Sequence, residues 1–172
     1  MRKQLILVRH AQAEPANHVQ KDIDLELNTS GFSEASRMGK YLSGKPLETG
    51  AIQLDAVFSS PAARARLTAQ LLTEQLGFEY DNVVIDPEIY EASVRKLMQI
   101  INSLSETYRT VMIVGHNPHL SYLAEFLTHR EIGTLPTCGV VAIAFNDQPW
   151  AAIASATGEL VWFEHPETMD AH

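Results

Sequence analysis

Four short, mainly apolar runs recur along the chain, and each is bounded by polar or turn-forming residues. They lie at residues 5–8, 55–58, 83–85 and 111–114. A short apolar run of this kind predicts a strand buried on both faces, as in the middle of a parallel sheet. We therefore expect four strands, of which 5–8 and 111–114 are purely aliphatic.

Between these runs, apolar residues recur at the three- and four-residue spacing of helices. Capping residues precede them: residues 28–31, Ser60 with Pro61 at the first helical position, and Ser93. The apolar positions of the four predicted helices are Phe32, Ala35, Met38, Gly39 and Leu42; Leu67, Leu71, Leu72 and Leu76; Val94, Leu97, Met98 and Ile101; and Leu120, Leu123, Ala124 and Leu127.

The end of the chain departs from this alternation. Residues 139–145 and 160–163 predict two further strands, added as antiparallel or edge strands, and the residues from His165 onward predict a tail. The alternating strands and helices before them predict an α/β fold, a mainly parallel sheet with helices on both faces. The length of 172 residues favours a single domain over 1–172.

Composition excludes several classes of function. A net charge of -8 argues against general binding of nucleic acid, which needs a basic surface. No apolar run is long enough to span a membrane, and the start of the chain does not resemble a signal peptide. The single cysteine, Cys138, has no internal partner and is expected to be a packing residue in a reducing compartment. We expect a cytoplasmic protein with no membrane and no nucleic-acid partner.

Two of the predicted strands end in histidine. Arg9 and His10 follow the first strand, and Gly115 and His116 follow the fourth. Ligands of open α/β sheets bind at the carboxyl ends of the strands, so both histidines are expected at a binding site. A histidine so placed is often structural when it occurs alone, but two of them, one beside an arginine, favour a shared anion site.

Charged residues on two connections are further candidates. Arg64 lies near the predicted start of its helix, where anions are favoured, and Arg66 points away from it on the helix. Arg64 is therefore the better candidate. Glu88 and Glu91 lie between the third strand and its helix, and for each a plain loop charge is as probable a role as a catalytic one.

The motifs Arg9-His10, Ser60-Pro61-x-x-Arg64 and Gly115-His116 together resemble the histidine phosphatase superfamily, and in particular its small SixA-like phosphohistidine phosphatase branch. The resemblance implies a phosphoglycerate mutase-like fold and a phosphatase with no metal and no cofactor. It implies that His10 is the nucleophile, that Arg9, Arg64 and His116 hold the phosphate, and that Glu91 stands where larger relatives have a proton donor.

The sequence departs from the family pattern at two places. Ala11 replaces the usual glycine after the histidine, and Leu25-Glu26 replaces an Arg-Pro pair that many relatives carry. The residues from 77 to 111 are nearly filled by one strand and one helix, so no large lid insertion is expected. The substrate expected first is phosphohistidine on a signalling protein. The alternatives are a small phosphomonoester and an inactive relative that binds phosphorylated partners.

Overall fold

Strand β1 (Lys3–Arg9) runs through the interior of a six-stranded sheet in the computed structural model, which describes residues 2–171. On one side it pairs in parallel with β6 (Thr110–Gly115), and on the other it pairs antiparallel with β7 (Val140–Phe145). Its aliphatic side chains alternate between the two faces of the sheet and are fully buried. The prediction of a strand buried on both faces is confirmed.

Three further strands complete this sheet: β4 (Ala56–Ser59), β5 (Val84–Ile85) and β8 (Gly158–Glu164). The strand order is β5-β4-β6-β1-β7-β8. The first four strands are mutually parallel, β7 runs antiparallel to them, and β8 pairs antiparallel with β7. A separate small hairpin contains β2 (Pro46–Leu47) and β3 (Gly50–Ala51), which the hydrophobic pattern did not predict.

Helices cover both faces, as predicted. Residues of α1 (Thr29–Ser43), α2 (Ala63–Leu76) and α5 (Pro166–Asp170) pack on one face of the sheet. Residues of α3 (Val94–Asn102) and α4 (His119–Thr128) pack on the other. Apart from short 3₁₀ turns, β5 and α3 are the only regular elements between residues 77 and 109, so this interval contains no large insertion.

Two of the three predicted helix caps are present. Asn28 accepts a hydrogen bond from the backbone of Gly31, and Ser93 accepts one from Lys96. The third prediction was wrong, because α2 begins at Ala63 and its N-cap makes no side-chain bond. The hydroxyl of Ser60 instead closes a local turn, in which it accepts from the N–H of Ala62.

Three other predictions need correction. The residues after His165 are not a tail but form α5, whose Met169 is buried on the sheet face that also carries α1. Strand β5 is shorter than predicted. It is also exposed, because it is an edge strand of the sheet. The pattern predicts Phe32 as an apolar position of α1, but Phe32 is 42% exposed, and Gly31 lies against the neighbouring loop instead.

Cys138 is buried in the core, and this burial raises the pKa of its thiol to about 12. It is therefore a packing residue, as predicted. Across residues 2–171, none of the helices is long and apolar enough to cross a bilayer.

Candidate active site

Adjacent parallel strands bring the two histidines together. Arg9 at the end of β1 is in register with Gly115 at the end of β6, and the N–H of His10 donates to the carbonyl of Gly115 at 3.1 Å. His10 and His116 therefore lie at the same edge of the sheet, with their ring centroids 5.2 Å apart. Hydrogen bonds span ~3 Å, so both rings are close enough to contact one phosphate group.

A backbone carbonyl fixes the tautomer of His10. The ring atom Nδ1 lies 2.8 Å from the carbonyl oxygen of Ala11. Because a carbonyl only accepts, Nδ1 carries the proton and Nε2 keeps its lone pair. Burial lowers the pKa of His10 to about 4, with smaller contributions in the same direction from Arg64 and Arg9. Near neutral pH the ring is thus an uncharged base with a free nitrogen.

His116 is held by the residue that was expected to cap α2. Its Nε2 lies 2.7 Å from the hydroxyl of Ser60, and the ring of Tyr90 packs edge-on at 5.5 Å between centroids. The pKa of His116 is lowered to about 3, mainly by burial and to a smaller extent by His10 and Arg64. A bound phosphate would oppose these effects, since a neighbouring anion favours the protonated imidazole.

The two predicted arginines, one directly before His10 and one on α2, reach the same cleft. Arg9 donates through one terminal nitrogen to the carbonyl of Leu135 at 2.8 Å, and Asn117 donates to the same oxygen at 3.0 Å. The Nε of Arg9 is buried and has no acceptor among residues 2–171. A buried donor without a partner is costly, and an oxygen of a bound anion would satisfy it.

Arg64 is 9% exposed and is bound by a residue that the sequence did not single out. Its guanidinium donates to the backbone carbonyl of Asp22 at 2.6 Å and to the carboxylate of the same residue at 2.9 Å. The hydroxyl of Tyr90 donates to that carboxylate at 2.5 Å. These bonds hold the pKa of Asp22 below its usual range, the bond from Tyr90 being the largest cause. Arg66, in contrast, is exposed and donates to the carbonyl of Pro61.

These groups line one open cleft of about 320 Å³ at the carboxyl edge of the sheet. This volume lies at the lower end of the ~300–1,000 Å³ that is usual for small-molecule sites, and the cleft is open to solvent. The residues that line it are Arg9, His10, Asp22, Arg64, Tyr90, Glu91, His116, Asn117, Pro118 and His119.

The two glutamates of the β5–α3 connection differ in position. Glu91 lines the cleft, is exposed, and has a backbone φ of 58°. This left-handed conformation is unusual for a residue with a side chain, and such strain often occurs at functional sites. Glu88 is not part of the cleft and lies 3.4 Å from Lys96.

Leu25 and Glu26, which stand where many relatives have an Arg-Pro pair, do not line the cleft. Leu25 is buried in the core, and Glu26 is exposed beside α2. The described residues contain no group of three or more His, Cys, Asp or Glu side chains that could hold a metal ion. His119 lines the cleft beside His116 and packs edge-on against Tyr122.

The sequence of this chain is similar to known proteins. Residues 5–109 match the sequence model of the histidine phosphatase superfamily (branch 1). An uncharacterized chloroplastic protein of Arabidopsis thaliana is 27% identical over 168 residues, which cover 93% of this chain and 74% of that protein. An uncharacterized protein of Mycobacterium tuberculosis is 27% identical over 169 residues, which cover 92% and 99% of the two chains.

Solved structures show the same fold. A structure from Agrobacterium tumefaciens assigned as a phosphohistidine phosphatase SixA superimposes with a TM-score of 0.77 at 26% identity, covering 95% of this chain and 98% of the other. A structure of the protein histidine phosphatase SixA complexed with tungstate superimposes with a TM-score of 0.80 at 20% identity, covering 96% and 99% of the two chains.

Proposed function

This chain belongs to the histidine phosphatase superfamily, in its SixA-like branch, and is a phosphatase; we propose that it removes phosphate from phosphohistidine in a protein. The observation that carries the proposal is the open cleft, whose floor holds an uncharged His10 beside two arginines. An open cleft admits a phosphorylated side chain that projects from a folded protein, and the surface of that protein then completes the enclosure.

The reaction we propose has two steps. In the first, Nε2 of His10 attacks the phosphorus, a bond forms between them, and the leaving group departs with the electron pair of the broken bond. In the second, water attacks the phosphorus of phosphorylated His10 and releases inorganic phosphate. The tautomer fixed by Ala11 supports this role, because it leaves Nε2 unprotonated.

Fixed positive charge supports the transfer. The transition state of phosphoryl transfer spreads charge over three equatorial oxygens, so positioned donors supply most of the catalysis. Arg9, whose Nε is unpaired, and Arg64 provide guanidinium donors for phosphate oxygens. Both terminal nitrogens of Arg64 donate to Asp22, and each keeps a second N–H for the phosphate. His116 is proposed as the third donor, oriented by Ser60. No metal takes part in the proposed reaction.

A second candidate substrate is a small phosphomonoester. Its support is Glu91, whose carboxylate lines the cleft where a proton donor for an alkoxide leaving group would stand. An imidazole that is already protonated on its distal nitrogen leaves without such help. Phosphohistidine remains the first choice because the cleft offers few contacts to a metabolite. We also propose that the partner is a signalling protein and that the reaction takes place in the cytoplasm, a reducing compartment that the single free cysteine fits.

The test is a search for the covalent intermediate. Enzyme mixed with a phosphohistidine protein and quenched in base should carry phosphate on the peptide that contains Arg9 and His10, in a bond labile to acid. The His10→Ala variant should form no intermediate and have no activity, whereas His18→Gln, which removes an exposed loop imidazole, should retain both. Phosphate on another residue, or full activity of His10→Ala, would refute the nucleophile.

The same preparation tests the substrate. We expect kcat/KM for the phosphohistidine protein to exceed that for free phosphohistidine and for sugar phosphates, and activity to persist in excess chelator. A sugar phosphate that is hydrolysed more efficiently than every phosphohistidine protein would favour the second candidate. Activity that is lost in chelator and restored by metal would refute the metal-free reaction.

A further inference from the structure

The carboxylate of Asp22 is fixed in orientation although it belongs to a surface loop. One of its oxygens, Oδ2, accepts hydrogen bonds from Arg64 and from the hydroxyl of Tyr90. The backbone carbonyl of the same residue accepts a third bond, from the other terminal nitrogen of Arg64. Three bonds thus hold Asp22 at the wall of the cleft, next to one of the proposed phosphate ligands.

The second carboxylate oxygen is available to a substrate. Oδ1 of Asp22 accepts no hydrogen bond from any of residues 2–171, and 61% of the Asp22 side chain is exposed. A carboxylate that accepts bonds through one oxygen retains full accepting capacity on the other. The free oxygen is therefore a preorganised acceptor at the rim of the cleft.

The direction of phosphoryl transfer brings the leaving group to this rim. The attacking and leaving atoms lie roughly in line through the phosphorus. The ring of His10 is buried, so a leaving group in line with its attack points away from it, toward the exposed lining residues. The lining residues that are exposed there and carry a carboxylate are Asp22 and Glu91. Of these, Asp22 is the one held in place by hydrogen bonds.

We infer that Asp22 determines specificity for a nitrogen leaving group, because its Oδ1 accepts the N–H of the distal nitrogen in the substrate imidazole. This inference rests on the proposed function. As the bond from His10 to phosphorus forms, the P–N bond of the substrate breaks and its electron pair stays on the departing nitrogen. The proton on the distal nitrogen, hydrogen-bonded to Asp22, remains there, and a neutral imidazole leaves with no proton transfer.

The negative charge of Asp22 does not assist the hydrolysis of a phosphoester. A carboxylate near a phosphate dianion is unfavourable unless a cation or an N–H lies between them. The protonated imidazole of phosphohistidine supplies that N–H, whereas a phenyl or sugar ester does not. Asp22 should therefore favour phosphohistidine and disfavour phosphoesters, two effects of opposite sign on the two substrate classes.

The Asp22→Asn variant tests this prediction while keeping the backbone bond to Arg64. Arg64 and Tyr90 both donate to one oxygen, so the amide should keep its carbonyl oxygen on them and turn its NH₂ group toward the cleft. An NH₂ group cannot accept the imidazole N–H. Because a hydrogen bond to a charged group is lost, we expect kcat/KM for a phosphohistidine peptide to fall ~10- to 100-fold. For p-nitrophenyl phosphate it should stay constant or rise.

Asp24→Asn is the matched control, since Asp24 is an exposed carboxylate two residues further along the same turn, outside the cleft. It removes the same charge and should leave the ratio of the two kcat/KM values unchanged. Tyr90→Phe removes the hydrogen bond from the Tyr90 hydroxyl to Oδ2 of Asp22. It should shift the ratio of the two kcat/KM values in the same direction as Asp22→Asn, by a smaller factor.

Equal losses on both substrates in Asp22→Asn would overturn the inference, because they would mean that Asp22 only orients Arg64. A change in the ratio for Asp24→Asn as large as that for Asp22→Asn would overturn it as well, in favour of a general charge effect. The failure of the proposed function is distinct, since wild-type enzyme would then leave the phosphohistidine peptide intact.

Discussion

Replacing His10 by glutamine should make the protein more resistant to acid unfolding, although it abolishes the proposed nucleophile. The pKa of His10 is lowered to about 4 in the folded protein, because the ring is buried. In the unfolded chain an imidazole has a pKa of ~6.5. Between these two values the unfolded state binds a proton that the folded state does not. The free energy of unfolding therefore falls as pH falls through this interval.

The size of this effect follows from proton linkage. For a single group with these two pKa values, the free energy of unfolding decreases by about 2 kcal/mol between pH 7 and pH 4.5. Glutamine cannot titrate, so His10→Gln lacks this contribution. Other groups that titrate in this interval contribute to both proteins and cancel in the comparison, except His116. His10 lowers the pKa of His116, so in the variant that pKa is less depressed, which adds to the expected difference in the same direction.

The assay is urea unfolding of wild type and His10→Gln at both pH values, followed by circular dichroism. The loss of stability on acidification should be about 2 kcal/mol smaller in the variant. His18→Gln, at an exposed loop position, controls for the loss of one imidazole. If wild type and His10→Gln lost the same stability, His10 would not be a buried neutral ring, and the electrostatic argument for the site would fail.

Two further predictions concern the rim of the cleft and the loop below it. Glu91→Gln should lower kcat/KM for phosphoesters by ~10²–10⁴-fold, because an alkoxide leaving group needs a proton. For phosphohistidine, whose leaving group needs none, the loss should be far smaller. Equal losses in steady-state assays would indicate a structural role for Glu91. Gly31→Ala should destabilise the protein by ~1–3 kcal/mol or more in urea unfolding, since the new Cβ would lie 2.0 Å from the carbonyl oxygen of Gln12. Gly44→Ala is its control, with the nearest atom at 3.8 Å; similar losses in both would contradict the steric argument.

The sequence predicts the strands of the six-stranded sheet and helices α1 to α4 because each of them has a local pattern. The meeting of the two histidines was predictable for the same reason: both follow buried parallel strands, and such strands end at one edge of a sheet. The order of the strands in the sheet was not predictable. Strands β1 and β6 are neighbours although their paired residues, such as Gln4 and Thr110, are 106 positions apart in the chain.

The contacts of Asp22 could not be predicted. It lies in a loop without hydrophobic periodicity, and nothing distinguishes it there from Asp24 or Glu26. Its bonds to Arg64 and Tyr90 join residues 42 and 68 positions away, and they depend on side-chain placement after folding. The start of α2 was mispredicted for a related reason, because the partner of Ser60 is His116, a residue brought close only by the sheet.

The loop that carries Asp22 closes on itself where it leaves the sheet. The backbone of Asn28 bonds to Gln12, that of Glu14 bonds to Glu26, and Ala13 forms a bridge with Leu27. A loop with paired ends tolerates changes of length between them at little entropic cost, about 0.6 kcal/mol for each doubling. Insertions or deletions there would leave His10 in place and alter what faces the leaving group, together with the bonds from Asp22 to Arg64. In evolutionary terms, the loop lets substrate preference diverge separately from the nucleophile.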